Sequence, residues 1–238
     1  EYHLVKIDLR TNGMTIAAYP TAQMAKEHPE TGNEADSFFK GISTSAFARK
    51  FKTTVAVNTT PFKVTEGAKV LAYMKNKRAF AGIHKTEGIQ FSEPQEGYAA
   101  LVFSTENGFL KAEIIDSQKK EIIDKYPYAF GGFYTILRNG EKRNFRENNL
   151  DGRMACGISQ DGFTVYFLAA EGEPSLTSKG LSFTQCADIL LKAGADSAMQ
   201  FDGGSSTQMC LGTKSLVTSN PAFAVAGNIG FMTVTLQQ

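Results

Sequence analysis

The sequence predicts a single α+β domain, 1–238, of twisted, largely antiparallel sheets with a few flanking helices. Short apolar runs recur along the chain with glycine turns between them, the mark of antiparallel strands. Helical spacing is confined to Ser43–Lys52, a charged stretch at Asp116–Lys125, and Ser182–Gly194. No low-complexity linker or internal repeat divides the chain, and 238 residues are ample for a core.

Composition excludes more than it suggests. A formal net charge of +1 gives no reason to expect a nucleic-acid partner. No uninterrupted apolar run approaches the roughly 18 residues of a membrane span. The chain opens at Glu1 without Met, so the missing signal peptide carries no weight. Cys156, Cys186 and Cys210 are odd in number and lack C-x-x-C spacing, which reads as small buried hydrophobes. His3, His28 and His84 are isolated and show no metal spacing.

Taken in order, Leu4–Leu9 and Met14–Tyr19 flank Thr11-Asn12-Gly13, which predicts a hairpin. Thr21–Asp36 is polar and reads as a surface loop. Ser43–Lys52 predicts a helix and Thr53–Val57 a β-branched strand that ends in Asn58-Thr59-Thr60-Pro61-Phe62. Asn58 reads as a turn residue bonding its own backbone; Asn58-Thr59-Thr60 is formally a glycosylation sequon, a reading set aside here. The run Lys75–Arg78 reads as a solvated turn. Strands are expected at Val70–Met74, Ala79–Ile83, Tyr98–Ser104 and Phe109–Ile115. The aromatics of Tyr128–Tyr134 suit a core or a sugar-stacking rim. Asp161-Gly162 predicts a hairpin between Met154–Ser159 and Phe163–Ala169, the second running into Glu171-Gly172.

The most informative stretch is Ser178–Leu211. Ser182 and Gln185 have capping-box spacing, and Phe183, Cys186, Ala187, Leu190 and Leu191 recur near helical period. Gly194 is placed to stop that helix. Ala198–Phe201 then reads as a buried strand that delivers Asp202 into Gly203-Gly204, followed by Ser205 and Ser206. From these residues alone such a turn reads first as a plain connection between two strands, and second as a rigid carboxylate beside an N–H cradle for an anion.

Gly180-Leu181-Ser182-Phe183 with Phe201-Asp202-Gly203-Gly204-Ser205-Ser206 resembles the phosphodiester glycosidase family, whose Leu-Asp-Gly-Gly-Gly-Ser turn has its third glycine replaced here by Ser205. Asn58-Thr59-Thr60-Pro61-Phe62 is similar to the family's Asn-Gly-Gly-Phe-Phe. Gly152–Ile158 is similar to its Pro-Arg-Thr-Ala-Ile-Gly strand, with Arg153 at the arginine. Glu171 stands where the family has Asp, and Asn228 is retained before the last strand. The family's Glu-Arg pair just upstream of it is absent.

The resemblance implies cleavage of a sugar-1-phosphodiester between anomeric carbon and phosphate. Asp202 would be nucleophile or general base, and Glu171 would assist. Arg153 and the amides of Gly203, Gly204 and Ser205, with Ser206 beside them, would hold phosphate; Asn58 and Asn228 would bond the sugar. The resemblance also implies a small-molecule or glycan phosphodiester as partner and an exported protein. It calls for no cofactor, although Asp202, Glu171 and Asp151 suit a hard divalent cation. A glycan- or cell-wall-binding module with impaired catalysis is the alternative, given the missing pair.

Overall fold

The structure, a computed structural model, describes residues 1–27, 39–63, 77–145, 149–172 and 178–234. The chain opens with β1 (Tyr2–Asp8), β2 (Met14–Tyr19), α1 (Ala22–Glu27), β3 (Phe39–Lys40), α2 (Thr44–Phe51), β4 (Val55–Asn58) and β5 (Phe62–Lys63). There follow β6 (Lys77–Phe80), β7 (His84–Thr86), β8 (Ile89–Ser92), β9 (Ala100–Glu106), β10 (Phe109–Ile115), α3 (Lys120–Ile123) and β11 (Tyr128–Gly131). Then come β12 (Thr135–Arg138), β13 (Glu141–Lys142), β14 (Arg153–Ile158), β15 (Thr164–Ala170) and α4 (Phe183–Ala193). The last are β16 (Ser197–Gln200), β17 (Met209–Leu211), β18 (Lys214–Ser215) and β19 (Asn228–Thr233).

A six-stranded sheet runs β1-β15-β14-β16-β12-β13. Two five-stranded sheets run β10-β9-β11-β7-β8 and β18-β17-β4-β19-β2, and a small one runs β3-β6-β5. The ladders among the described residues are antiparallel.

Period-2 alternation explains how the three larger sheets assemble. In β15, Val165, Phe167 and Ala169 face a common core, while Tyr166 and Leu168 face outward against α4 through Cys186, Ala187 and Leu190. In β9, Leu101 and Phe103 enter that same core, and Ala100 and Val102 turn out toward Ile123 of α3. In β4, Val55 and Val57 point in, and Ala56 backs onto Phe47 and Ala48 of α2. Each large sheet therefore contributes one face to the shared core and covers the other with one helix. Phe231 of β19 sits at the meeting point, its ring 5.9 Å from Phe103 and 5.7 Å from Phe167.

The helix caps follow the sequence. The Ser43 side chain accepts from Ala46 N and Lys52 closes α2 in the left-handed region. Ser182 and Gln185 form the full capping box of α4, and Gly194 ends it at φ 105°. The β14–β15 hairpin also forms as expected.

Three expectations are corrected. The turn at Thr11–Gly13 exists, but β1 and β2 do not pair. β1 pairs with β15 along 7 residues and β2 with β19 along 6, so the turn is a corner between two sheets. Thr21–Asp36 opens with helix α1, whose Met24 N is capped by the Thr21 hydroxyl at 3.3 Å; its remainder from 28 lies outside the described residues. Arg78 is not a solvated turn residue: it is 1% exposed, and its Nε donates to Ala224 O at 2.9 Å. The strand expected at Val70–Met74 lies outside the described residues.

Register brings one end of two sheets together. Arg153 pairs with Ala170, Ala155 with Gln200, and Asn58 with Asn228. Arg153, Glu171 and Asp202 thus share one end of the six-stranded sheet. The Asp202 amide crosses to Thr59 O at 2.9 Å, beside the ends of β4 and β19.

Because Phe231 touches rings from both other large sheets, Phe231→Ala should destabilise the protein by roughly 3–5 kcal/mol in chemical denaturation. A loss under about 1 kcal/mol would mean that the sheets do not share a close-packed core.

Candidate active site

The Asp202 turn is built from backbone packing. Phe201 N donates to Met154 O at 2.8 Å, keeping the chain on β14 until Asp202 leaves the sheet. A side chain at Gly203 would put its Cβ 2.7 Å from Gly152 O, so a residue with a side chain does not fit. Gly204 has φ +56° and donates to Gly152 O at 2.7 Å. Gly203 is thus required by the close approach of the Gly152 backbone, and Gly204 is favoured by its left-handed conformation. The Gly204 amide is already spent on that contact.

Asn58 holds the turn at both ends. Its Nδ2 donates to Asp202 O at 2.7 Å, and its Oδ1 accepts from Gln208 N at 2.9 Å. The side chain is 1% exposed. Behind it lies a network that sequence reading missed. Gln208 accepts from Thr44 N at 2.8 Å and donates to Phe223 O at 2.8 Å. The Thr44 hydroxyl donates to Asn228 Oδ1 at 2.6 Å, and Asn228 Nδ2 reaches Ile42 O at 3.4 Å. Asn58 and Asn228 therefore spend their amides inside the protein, one on the Asp202 turn and one on the start of α2.

The threonines in place of the family's glycines are accommodated within the same region. Thr60 Oγ1 lies 3.0 Å from Nδ1 of His84, whose ring stacks on Phe80 at 4.1 Å. Burial pushes the His84 imidazole down to about 3, so it stays neutral and acts as a fixed hydrogen-bonding strut.

Burial also dominates at Asp202. It pushes the carboxyl up to about 7, against the Ser206 hydroxyl and the Gly203 amide, which favour the ionised form. A carboxyl in that range can take or give a proton near neutrality.

Arg153 lies next along β14, its Cα 3.6 Å from where a Gly203 Cβ would stand. Its guanidinium sits 4.2 Å from the Phe183 ring centroid. Nε donates to Leu181 O at 2.9 Å and Nη2 to Asn149 O at 2.7 Å. Burial lowers its proton affinity, and Asp151 opposes that. A guanidinium carries five N–H donors, so these two bonds fix its plane and leave it able to bind an anion in a fork.

Glu171 is engaged elsewhere. Its Oε1 accepts from the Thr218 amide and, at 2.7 Å, from the Thr218 hydroxyl. The Thr218 amide bond is the main cause that holds this carboxyl below its ordinary value. Asn220 of the same loop donates to Ser205 O at 3.3 Å, so Glu171 reaches the Asp202 turn through that loop. Asp151, by contrast, lies alongside the turn: Oδ1 accepts from Gly152 N at 2.7 Å, and Oδ2 is 3.7 Å from where a Gly204 Cβ would stand. Among the described residues no group of three His, Cys, Asp or Glu side chains is placed to hold a metal ion, so Asp202, Glu171 and Asp151 do not converge on one.

Removing the Asn58 amide leaves Asp202 O and Gln208 N buried without partners. Asn58→Ala should therefore lose about 2–4 kcal/mol in denaturant titration at neutral pH. Unchanged stability would show that the amide is not the clamp of this turn.

Residues 51–232 match the phosphodiester glycosidase family. Among solved structures, a hypothetical protein from Synechocystis aligns with a TM-score of 0.68 and 14% identity, over 98% of this chain and 59% of that one. The catalytic domain of zebrafish N-acetylglucosamine-1-phosphodiester alpha-N-acetylglucosaminidase, auto-inhibited by its pro-peptide, aligns at 0.63 and 14%, over 97% and 82%. A putative exported protein from Burkholderia pseudomallei aligns at 0.68 and 11%, over 97% and 73%. The chain thus spans less than two thirds of the Synechocystis protein, and these identities speak for the fold alone. No curated protein matches the sequence. With Asn58, Arg153, Asp202 and Asn228 all inside the matched region, the chain belongs to the phosphodiester glycosidase family.

Proposed function

We propose that the chain, as one domain over 1–238, hydrolyses a sugar-1-phosphodiester, breaking the bond between the anomeric carbon and the phosphate oxygen. The observation that carries this reading is Asp202: a carboxyl held at a strand end, raised to about 7, with Arg153 on the neighbouring strand. Cleavage at an anomeric carbon passes through an oxocarbenium-like transition state that a carboxylate stabilises. Asp202 supplies that carboxylate, as nucleophile on the anomeric carbon or as base on the attacking water. The departing phosphate is a weak base and needs little proton donation. Its charge is held by the Arg153 guanidinium and by the Ser205 amide at the exposed edge of the turn.

In this reading Glu171 contributes by bracing the Thr218–Asn220 loop against Ser205. Asn58 sets the direction of Asp202 through its carbonyl, and Asn228 fixes α2 behind it. A glycan phosphodiester is the substrate class that this assignment favours, and export accords with the likeness to the Burkholderia protein. The second reading, a glycan-binding module with impaired catalysis, draws on the absence of the family's Glu-Arg pair from the run Phe223–Ile229 and on the Ser205 and Thr59–Thr60 replacements. Incubation with a panel of sugar-1-phosphodiesters separates the two: release of reducing sugar supports hydrolysis, and binding without release supports the module.

Asp202→Asn should lower kcat by about 10²–10⁴-fold or more while the protein still folds. Because the ionised carboxylate is the working form, kcat/KM should rise with pH up to about 7 and level off above it. Full turnover in the variant, or a rate that falls through that range, would remove Asp202 from this role. Arg153→Ala should depress turnover of phosphodiesters far more than of aryl glycosides. Equal losses on both would contradict a phosphate clamp.

A further inference from the structure

Asp151 stands at the candidate site, and the hydrolytic reading gives it no part. It lies two positions before Arg153, the spacing that puts side chains on one face of an extended chain. Its backbone is pinned. Asp151 N donates to Leu181 O at 3.3 Å, and Leu181 N donates back to Asp151 O at 2.9 Å. A side chain at Gly172 or Gly180 would run into the backbone of Asp151 and Gly152, so both glycines make room for it. Leu181 O also accepts from Arg153 Nε at 2.9 Å, and Asn149 O accepts from Arg153 Nη2 at 2.7 Å. One short stretch of backbone therefore fixes both a cation and an anion.

The two charges are not paired with each other. Among the described residues Asp151 makes no ion pair. Its Oδ1 accepts from Gly152 N at 2.7 Å, and its Oδ2 lies 3.7 Å from where a Gly204 Cβ would stand. The negative charge thus rests against the Asp202 turn, one residue from the Ser205 amide. Asp151 and Arg153 are both partly exposed, so both can meet a ligand.

A fixed carboxylate beside a phosphate clamp weakens anion binding, and more so for each further negative charge on the ligand. A phosphodiester carries one such charge. A phosphomonoester carries close to two near neutrality, since its second ionisation lies at about 6. We infer that Asp151 is a charge filter, which sets the site to admit monoanionic phosphodiesters and to reject dianionic phosphomonoesters. The filter acts at both ends of the reaction. A sugar-1-phosphate, which has the same sugar and the same anomeric bond, is turned away at entry. At exit, water has given its oxygen to the anomeric carbon and released a proton, and the phosphate oxygen has kept the electron pair of the broken bond. The monoester so formed carries the extra charge and is expelled.

The inference rests on the phosphate clamp of the hydrolytic reading, and its test tells the two apart. The probes are the C-glycosyl phosphonates of glucose and N-acetylglucosamine, in which carbon replaces the bridging oxygen and prevents cleavage. Each is used as the free phosphonate and as its monomethyl ester, at a pH where the first carries two charges and the second one. In isothermal titration the wild type should bind the ester about 10-fold or more tightly than the free phosphonate. Asp151→Asn keeps an oxygen for the Gly152 amide and should reduce that preference about 10-fold. Asp151→Glu, which keeps the charge, should keep the preference. A purely structural role for Asp151 would shift both ligands alike. A preference that Asp151→Asn leaves unchanged would overturn the inference, as would a wild type that favours the free phosphonate. Should Arg153→Ala weaken both ligands while Asp151→Asn leaves their ratio alone, the clamp stands and the filter falls. Should Arg153→Ala affect neither, or neither ligand bind, the clamp falls and the filter with it.

Discussion

One side-chain amide holds the working end of this molecule together. Asn58 closes β4, the strand that joins β17 and β19, and uses its two hydrogen-bonding groups on the two ends of the Asp202 turn. The turn itself hangs from the other sheet, through Phe201 on Met154 and Gly204 on Gly152. Beside Asn58 the Asp202 amide donates to Thr59 O at 2.9 Å, so two polar links join the sheets at this end, where the apolar core sets distance but not direction. With Asn58, the backbone of Asp202 is tied to the end of β4. A buried amide with both groups satisfied is well suited to this, since any other rotamer leaves polar atoms unpaired.

What could be read in the sequence was what local hydrogen bonds decide. The α2 helix, the caps of α4, the Asp161-Gly162 hairpin and the strand before Asp202 all depend on residues a few positions apart. What escaped depends on contacts across the chain. The Thr11–Gly13 turn has the composition of a hairpin, but β1 and β2 find longer partners in different sheets, and no local signal reveals that. Thr44 and Gln208 are 164 positions apart and no local pattern singles them out, yet they carry the network behind Asn58. Glu171 was legible as a carboxylate at a strand end; that its oxygen would be taken by Thr218 was not.

The missing Glu-Arg pair has a structural counterpart. Arg78 lies beside that segment, donating to Ala224 O and placing its guanidinium 5.1 Å from the Phe62 ring centroid and 5.5 Å from that of Phe223. It braces the backbone that leads to Asn228 by contacts of cation and ring, deep inside the protein. A buried arginine in that position does not replace a charge facing substrate. In the proposed mechanism the phosphate therefore falls to Arg153 with the Ser205 amide, and Phe183 beneath Arg153 fixes the plane of its fork.

The account turns on the spatial relation between Asp202 and Arg153 with substrate bound. A crystal structure with a non-hydrolysable sugar-1-phosphonate ester tests it most directly. The account predicts the anomeric carbon against the Asp202 carboxyl and the phosphonate oxygens on the Arg153 guanidinium. A ligand seated elsewhere, with Asp202 facing solvent and Arg153 untouched, would contradict it.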